Sequence, residues 1–157
     1  MTELREVDDL TEAVSLLELN DVIFYELHGQ RRDGFDEELG LGEDNSGEPQ
    51  NWRMSIFTSD DENALAIRGQ LSTETPELVI KVDASVIFGK REPFALTPEV
   101  VRAFIDNVAL MTMFPYHREA VHDLTMRLGH PVTLSLLRRR VDGAIAGLED
   151  EPEPTAD

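Results

Sequence analysis

The segment from Thr97 to Leu128, TPEVVRAFIDNVALMTMFPYHREAVHDLTMRL, constrains the fold more than any other part of the chain. It carries helix punctuation at both ends. Thr97 is placed as an N-cap, Pro98 takes the first helical position, and Glu99 suits the positive end of the helix dipole. Arg127, Gly129 and Pro131 supply the cation, left-handed cap and stop expected at the far end. Val101, Phe104, Ile105, Val108 and Thr112 recur at three- and four-residue steps, and His117, Ala120, Val121, Leu124 and Leu128 form a second stripe. Val100, Leu110, Met111, Met113 and Phe114 fall partly off the first stripe. A helix apolar around that much of its girth needs cover on two sides, which predicts a sheet on one and a second copy of the chain on the other. Pro115 removes a helical hydrogen bond and clashes with the preceding turn, so a kink is expected between residues 110 and 114. The alternative is that one helix ends at Pro115 and another begins at Tyr116.

Upstream of this helix the period changes from helical to two. Residues 10–17 suggest a short helical turn, and residues 19–28 (LNDVIFYELH) a strand rich in Val, Ile, Phe and Tyr. Strict alternation puts Val22 and Phe24 on one face and Ile23, Tyr25 and Leu27 on the other, so both faces are apolar. Trp52, Met54 and Ile56 alternate with Arg53 and Ser55. Leu65, Ile67 and Leu71 alternate with smaller or polar residues. Leu78, Ile80, Val82, Ala84, Val86 and Phe88 give the cleanest two-residue period in the chain. Turn residues at 59–63 and 73–76 separate these runs and imply antiparallel hairpins. After Pro131, Val132, Leu134 and Leu136 predict an extended crossing, and Leu137, Val141, Ile145 and Leu148 a short amphipathic helix weakened by two glycines. The expected class is α+β: a four-stranded antiparallel sheet packed on a long kinked helix, plus a short C-terminal helix. One domain spans residues 10–148. Residues 1–9 and 149–157 are expected to be loose acidic termini, and 33–50 an acidic, glycine-dotted loop without Lys or Arg.

Composition narrows the function. The formal charge is -18, from 14 basic and 32 acidic residues, which repels phosphate backbones and anionic lipid and suits basic or neutral polypeptides. Neither nucleic acid nor membrane is an expected partner. There is no cysteine, which removes disulfides, thiol nucleophiles and thiolate metal sites. No apolar run approaches the ~20 residues that span a bilayer, and the acidic N-terminus lacks a signal-peptide core, so a cytoplasmic location is expected.

Chemistry is sparse. His117 and His122 are five residues apart, which places them on different helix faces, and His130 lies past the glycine cap. No metal, no cofactor and no catalytic residue is assigned, and an enzyme with its site among the histidines is the least favoured reading. Arg138, Arg139 and Arg140 form the only basic run, suited to a solvated helix face or to pairing with a neighbouring subunit's acidic tail. Aromatic and methionine side chains are more telling. Tyr25, Trp52, Phe57, Phe94, Met111, Met113, Phe114 and Tyr116 exceed what one modest sheet and one helix need, and methionine adapts its shape at promiscuous surfaces.

From Phe114 to Leu137, FPYHREAVHDLTMRLGHPVTLSLL, the chain resembles the SecB family of protein-export chaperones. The resemblance lies in the FPY-x-RE core, the apolar helix after it, and the Arg, Gly and X-Pro leading into a leucine-bearing crossover. Actinobacterial SecB-like proteins, some of which guard antitoxins, are the more similar branch. The resemblance implies a homotetramer, a dimer of dimers with helices between two sheets, that holds unfolded polypeptides in apolar grooves without ATP. The groove candidates are Trp52, Phe57, Phe94, Met111, Met113, Leu136, Leu137 and Ile145. The alternative is a dedicated adaptor for one partner such as an antitoxin, without docking on the SecA motor. Of the family's motor-contacting acids only Asp21 is matched; Tyr25 stands in place of the second, with Glu26 one position away. Leu128 is an extra residue before the glycine, and His130 replaces the family's Phe.

Overall fold

The computed structural model describes residues 3–32 and 51–134. Strands β2 (Leu17–Arg31), β3 (Asn51–Thr58), β4 (Ala64–Glu74) and β5 (Leu78–Lys90) form one antiparallel sheet in the order β2-β5-β4-β3. A short β1 (Arg5–Val7) pairs in parallel with β6 (Phe94–Leu96), and helix α1 (Leu10–Leu16) leads from β1 into β2. The long helical segment comprises α2 (Pro98–Phe104), a π-turn (Ile105–Ala109) and α3 (Leu110–Arg127). The architecture is α+β, one four-stranded sheet under one long helix. The expected C-terminal helix, with Leu136, Leu137 and Ile145, and the 33–50 loop lie outside the described residues.

Strand β5 is the spine of the sheet. Its six alternating side chains from Leu78 to Phe88 are all buried beneath the helix. Two clusters share that face. One gathers Phe88, Phe94, Phe104, Ile67 and Met113; the other gathers Leu71, Ile80, Val82, Phe114, Val121 and Leu134. Trp52 packs at the edge of both. The helix comes close to the sheet where side chains are small. At Gly69 on β4 the space a Cβ would fill is taken by Met113, and at Gly29 on β2 by Leu128 and Leu124.

Three findings correct the sequence expectations. Arg5–Val7, expected to be loose, is a strand with Val7 fully buried; three residues with one apolar side chain carry too little period to be seen. Second, helix α3 runs through Pro115, and the irregularity is the π-turn one turn earlier, where the Leu110 N–H bonds the Ile105 carbonyl five residues back. Pro115 cannot donate to the carbonyl of Met111, a residue that is largely exposed to solvent. The π-turn inserts one residue and re-phases the helix. Ile105, Leu110, Met113, Phe114, His117 and Val121 therefore all bury on one side, and most of the apparent second apolar face disappears. Third, β2 carries irregularities between Leu19 and Asp21 and between Phe24 and Glu26. These bulges place Leu19, Val22, Phe24 and Leu27 all opposite helix-facing residues of β5, so Leu27 joins Phe24's face, not Ile23's.

The helix ends are built as the sequence predicts. The Thr97 hydroxyl accepts from the Val100 N–H at 3.4 Å. At the other end Gly129 adopts φ +78°, and the N–H groups of Gly129 and His130 bond the carbonyls of Met126 and Thr125 in a Schellman motif. The extended segment beyond it is tied back by the buried Thr125 hydroxyl, which accepts from Val132 N–H at 2.8 Å, and by Arg118 Nε, which donates to the Leu134 carbonyl at 3.1 Å.

Candidate functional site

Apolar surface is concentrated on three elements. On edge strand β2, Leu19, Ile23, Phe24, Tyr25 and Leu27 are each between 37 and 53 % exposed. The bulges divide them: Leu19, Phe24 and Leu27 continue the helix-covered face outward, whereas Ile23 lies on the far face, in register with Ser85. On edge strand β3 Phe57 is half exposed on that far face, in register with Ala66. On α3 Met111, Tyr116 and Met126 reach solvent. Among the described residues, β2 thus leaves more large apolar side chains open than any other element.

The groove candidates divide. Phe57 and Met111 are exposed. Trp52 is half buried, its ring 4.8 Å from that of His117 and 6.3 Å from that of Phe114. Phe94 and Met113 are fully buried in the core, which closes them to a ligand there. Phe94 is sealed under the Lys90 ammonium, which bonds its carbonyl at 2.8 Å, and Met113 is locked over Gly69. Leu136, Leu137 and Ile145 lie outside the described residues. Asp21, on β2 opposite Ile87, turns its carboxylate back onto the Val22 N–H at 2.8 Å.

A charged cluster occupies the middle of the sheet face opposite the helix. Arg68 makes a two-pronged contact with Asp83 (2.8 and 2.6 Å), Gln70 adds a third bond at 3.0 Å, and the guanidinium lies 4.3 Å from the centre of the Tyr25 ring. The Arg68 hydrogen bonds hold the Asp83 carboxyl below its ordinary range, with burial opposing. Asp83 in turn raises Arg68. Glu26, Trp52, Arg53, Gln70, Ser72 and Asp83 border a depression of about 570 Å³ around this cluster. A second hollow, about 410 Å³, is largely apolar and lies between the sheet and β6, lined by Leu4, Ile56, Leu65, Leu96, Pro98 and Val101. Neither hollow is legible in the sequence, because residues of distant segments meet only through the β1–β6 pairing and the β4–β5 register. The signal that was present is the apolar excess of β2.

His117 is fully buried, with Nε2 2.9 Å from the Gly69 carbonyl, so that nitrogen donates; Nδ1 lies 3.3 Å from the Met113 carbonyl. His122 contacts the Thr133 hydroxyl. Among the described residues no three His, Cys, Asp or Glu side chains gather as metal ligands, and no helix is long and apolar enough to cross a membrane.

No protein-family model and no curated protein matches the chain. Solved structures do. The SecB-like chaperone Rv1957 of Mycobacterium tuberculosis, in complex with a ChAD peptide from the Rv1956 HigA1 antitoxin, aligns at TM-score 0.64 and 18 % identity, over 81 % of this chain and 95 % of that one. A protein of unknown function from Streptococcus agalactiae aligns at TM-score 0.42 and 16 % identity, over 76 % and 97 % of the two chains. The fold is therefore that of the SecB-like chaperones, in agreement with the resemblance at FPYHRE.

Proposed function

We propose that the protein is an ATP-independent holdase that captures unfolded or extended polypeptides on its apolar surfaces, and that it works as a homotetramer, a dimer of dimers, in the cytoplasm. The observation that carries the reading is the row of exposed apolar residues on β2 in a chain with the SecB-like fold. Such surface binds by area, at roughly 25 cal/mol per Å² and without strict direction, which suits clients of varied sequence. A formal charge of -18 draws in clients with basic stretches and quickens encounter. Trp52, Phe57 and Met111 are the contacts proposed within the described residues, and Leu136, Leu137 and Ile145 beyond them.

A dedicated adaptor is the second reading, favoured by the antitoxin peptide bound to the M. tuberculosis chaperone. A role in protein export, with docking on SecA through Asp21, is less favoured than client protection without it, since Tyr25 takes the place of the second acid and is engaged with Arg68. The test is suppression of aggregation of three unrelated unfolding proteins at near-stoichiometric ratios without nucleotide. Protection of all three supports the holdase. Protection of none, together with tight binding of one antitoxin-like peptide, replaces it with the adaptor.

A further inference from the structure

We propose that Met111 is an oxidation-responsive modification site, at which a hydroperoxide converts the thioether to a sulfoxide and weakens polypeptide capture. The proposal rests on the holdase reading for its consequence, not for its chemistry. The chain has no cysteine, so sulfur redox chemistry falls to its five methionines. The structure sorts four of them. Met54 and Met113 are 3 % and 0 % exposed; Met111 and Met126 are 72 % and 54 % exposed.

Among the described residues, the Met111 side chain is left largely open to solvent. It is the most exposed large apolar side chain among the described residues. It lies one turn before Pro115, and its carbonyl is the one that the proline cannot bond within the helix. A sulfoxide oxygen is solvated there at no cost to the helix. At Met113, beneath the helix and against Gly69, the same oxygen has no room without unfolding.

The step balances without a cofactor. The sulfur lone pair attacks the distal peroxide oxygen and the O–O bond breaks. Sulfur loses two electrons and keeps one oxygen, and the other leaves as water, or as alcohol from an organic peroxide. The product replaces a soft apolar group by a polar one at a proposed contact.

The test treats the full chain with hydrogen peroxide and follows each methionine by peptide mass mapping. Capture of reduced, carbamidomethylated lactalbumin is measured on the same samples. Met111 should oxidise first and Met126 second, with Met54 and Met113 lagging as an internal standard for the folded state. Capture should fall by about tenfold as Met111 converts, the scale expected when one buried apolar anchor becomes polar. Met111→Leu, compared with itself before and after peroxide, should lose that sensitivity, whereas Met126→Leu should keep it. Equal rates at Met111 and Met113, unchanged capture after Met111 conversion, or full sensitivity in Met111→Leu would each overturn the proposal. If the untreated chain captures nothing, the holdase reading fails first and this consequence falls with it, while the oxidation order still decides the site.

Discussion

The seating of the helix on the sheet depends on one missing side chain, and Gly69→Ala tests it. A methyl at position 69 would sit well inside van der Waals contact of Met113 Sδ and 3.4 Å from Met113 Cε and Met54 Sδ. Met113 is fully buried and cannot swing into solvent. Its neighbour one turn on, His117, donates to the Gly69 carbonyl, so lifting the helix also stretches that bond. Overpacking of this kind costs about 1–3 kcal/mol, against which replacing a strand glycine returns roughly 0.5–1 kcal/mol. The net expectation is a loss of about 1–2 kcal/mol, and with m near 2 kcal/mol/M the urea midpoint falls by roughly 0.5–1 M. Trp52 is the only tryptophan and stacks at this interface, so its fluorescence reports the transition directly. Met113→Ala alone opens a cavity. In the double variant the new methyl fills part of it, so the two losses should fall short of additive by about 1 kcal/mol or more. A Gly69→Ala midpoint at or above the parent's, or strict additivity, refutes the close approach.

Arg68→Ala should destabilise the fold by about 2 kcal/mol at pH 7, because it strands the buried Asp83 carboxylate. Asp83 has a lowered folded pKa, so its contribution is present above the ordinary carboxylate range near ~4 and is lost as pH falls through the lowered value. The penalty should therefore shrink by pH 3 in paired urea titrations, and a penalty that grows with acid contradicts the pairing. Gly129→Ala, at φ +78°, should cost about 1 kcal/mol in the same assay, and no cost would rule out the left-handed cap. Phe57→Ser should leave stability within about 0.5 kcal/mol yet weaken capture of an unfolded chain. Unchanged capture would remove Phe57 from the contact surface.

The fold class was legible because most elements keep their period. β5 alternates without a break, and the cap residues Thr97 and Gly129 stand where their chemistry requires. What escaped was phase. One inserted residue in the π-turn and two bulges in β2 each shift the pattern after them, so strict counting put Leu27 on the wrong face and credited the helix with a second apolar side. The consequence reaches function: the apolar surplus read on both faces of β2 is divided about its bulges, with Leu27 on Phe24's side and Ile23 on the other. Burial of Phe94 and Met113 was not readable either, since it depends on Lys90 and Gly69, which approach them only through the folded sheet. Trp52 was recognisable as a candidate, but its partners Phe114 and His117 are set by how the helix crosses β3 and β4.

Sedimentation velocity of the full chain, alone and with reduced, carbamidomethylated lactalbumin, tests the central claim most directly. The account predicts a tetramer that shifts to a heavier, nucleotide-independent complex when the unfolded chain is added. A stable monomer that ignores the unfolded chain would contradict it.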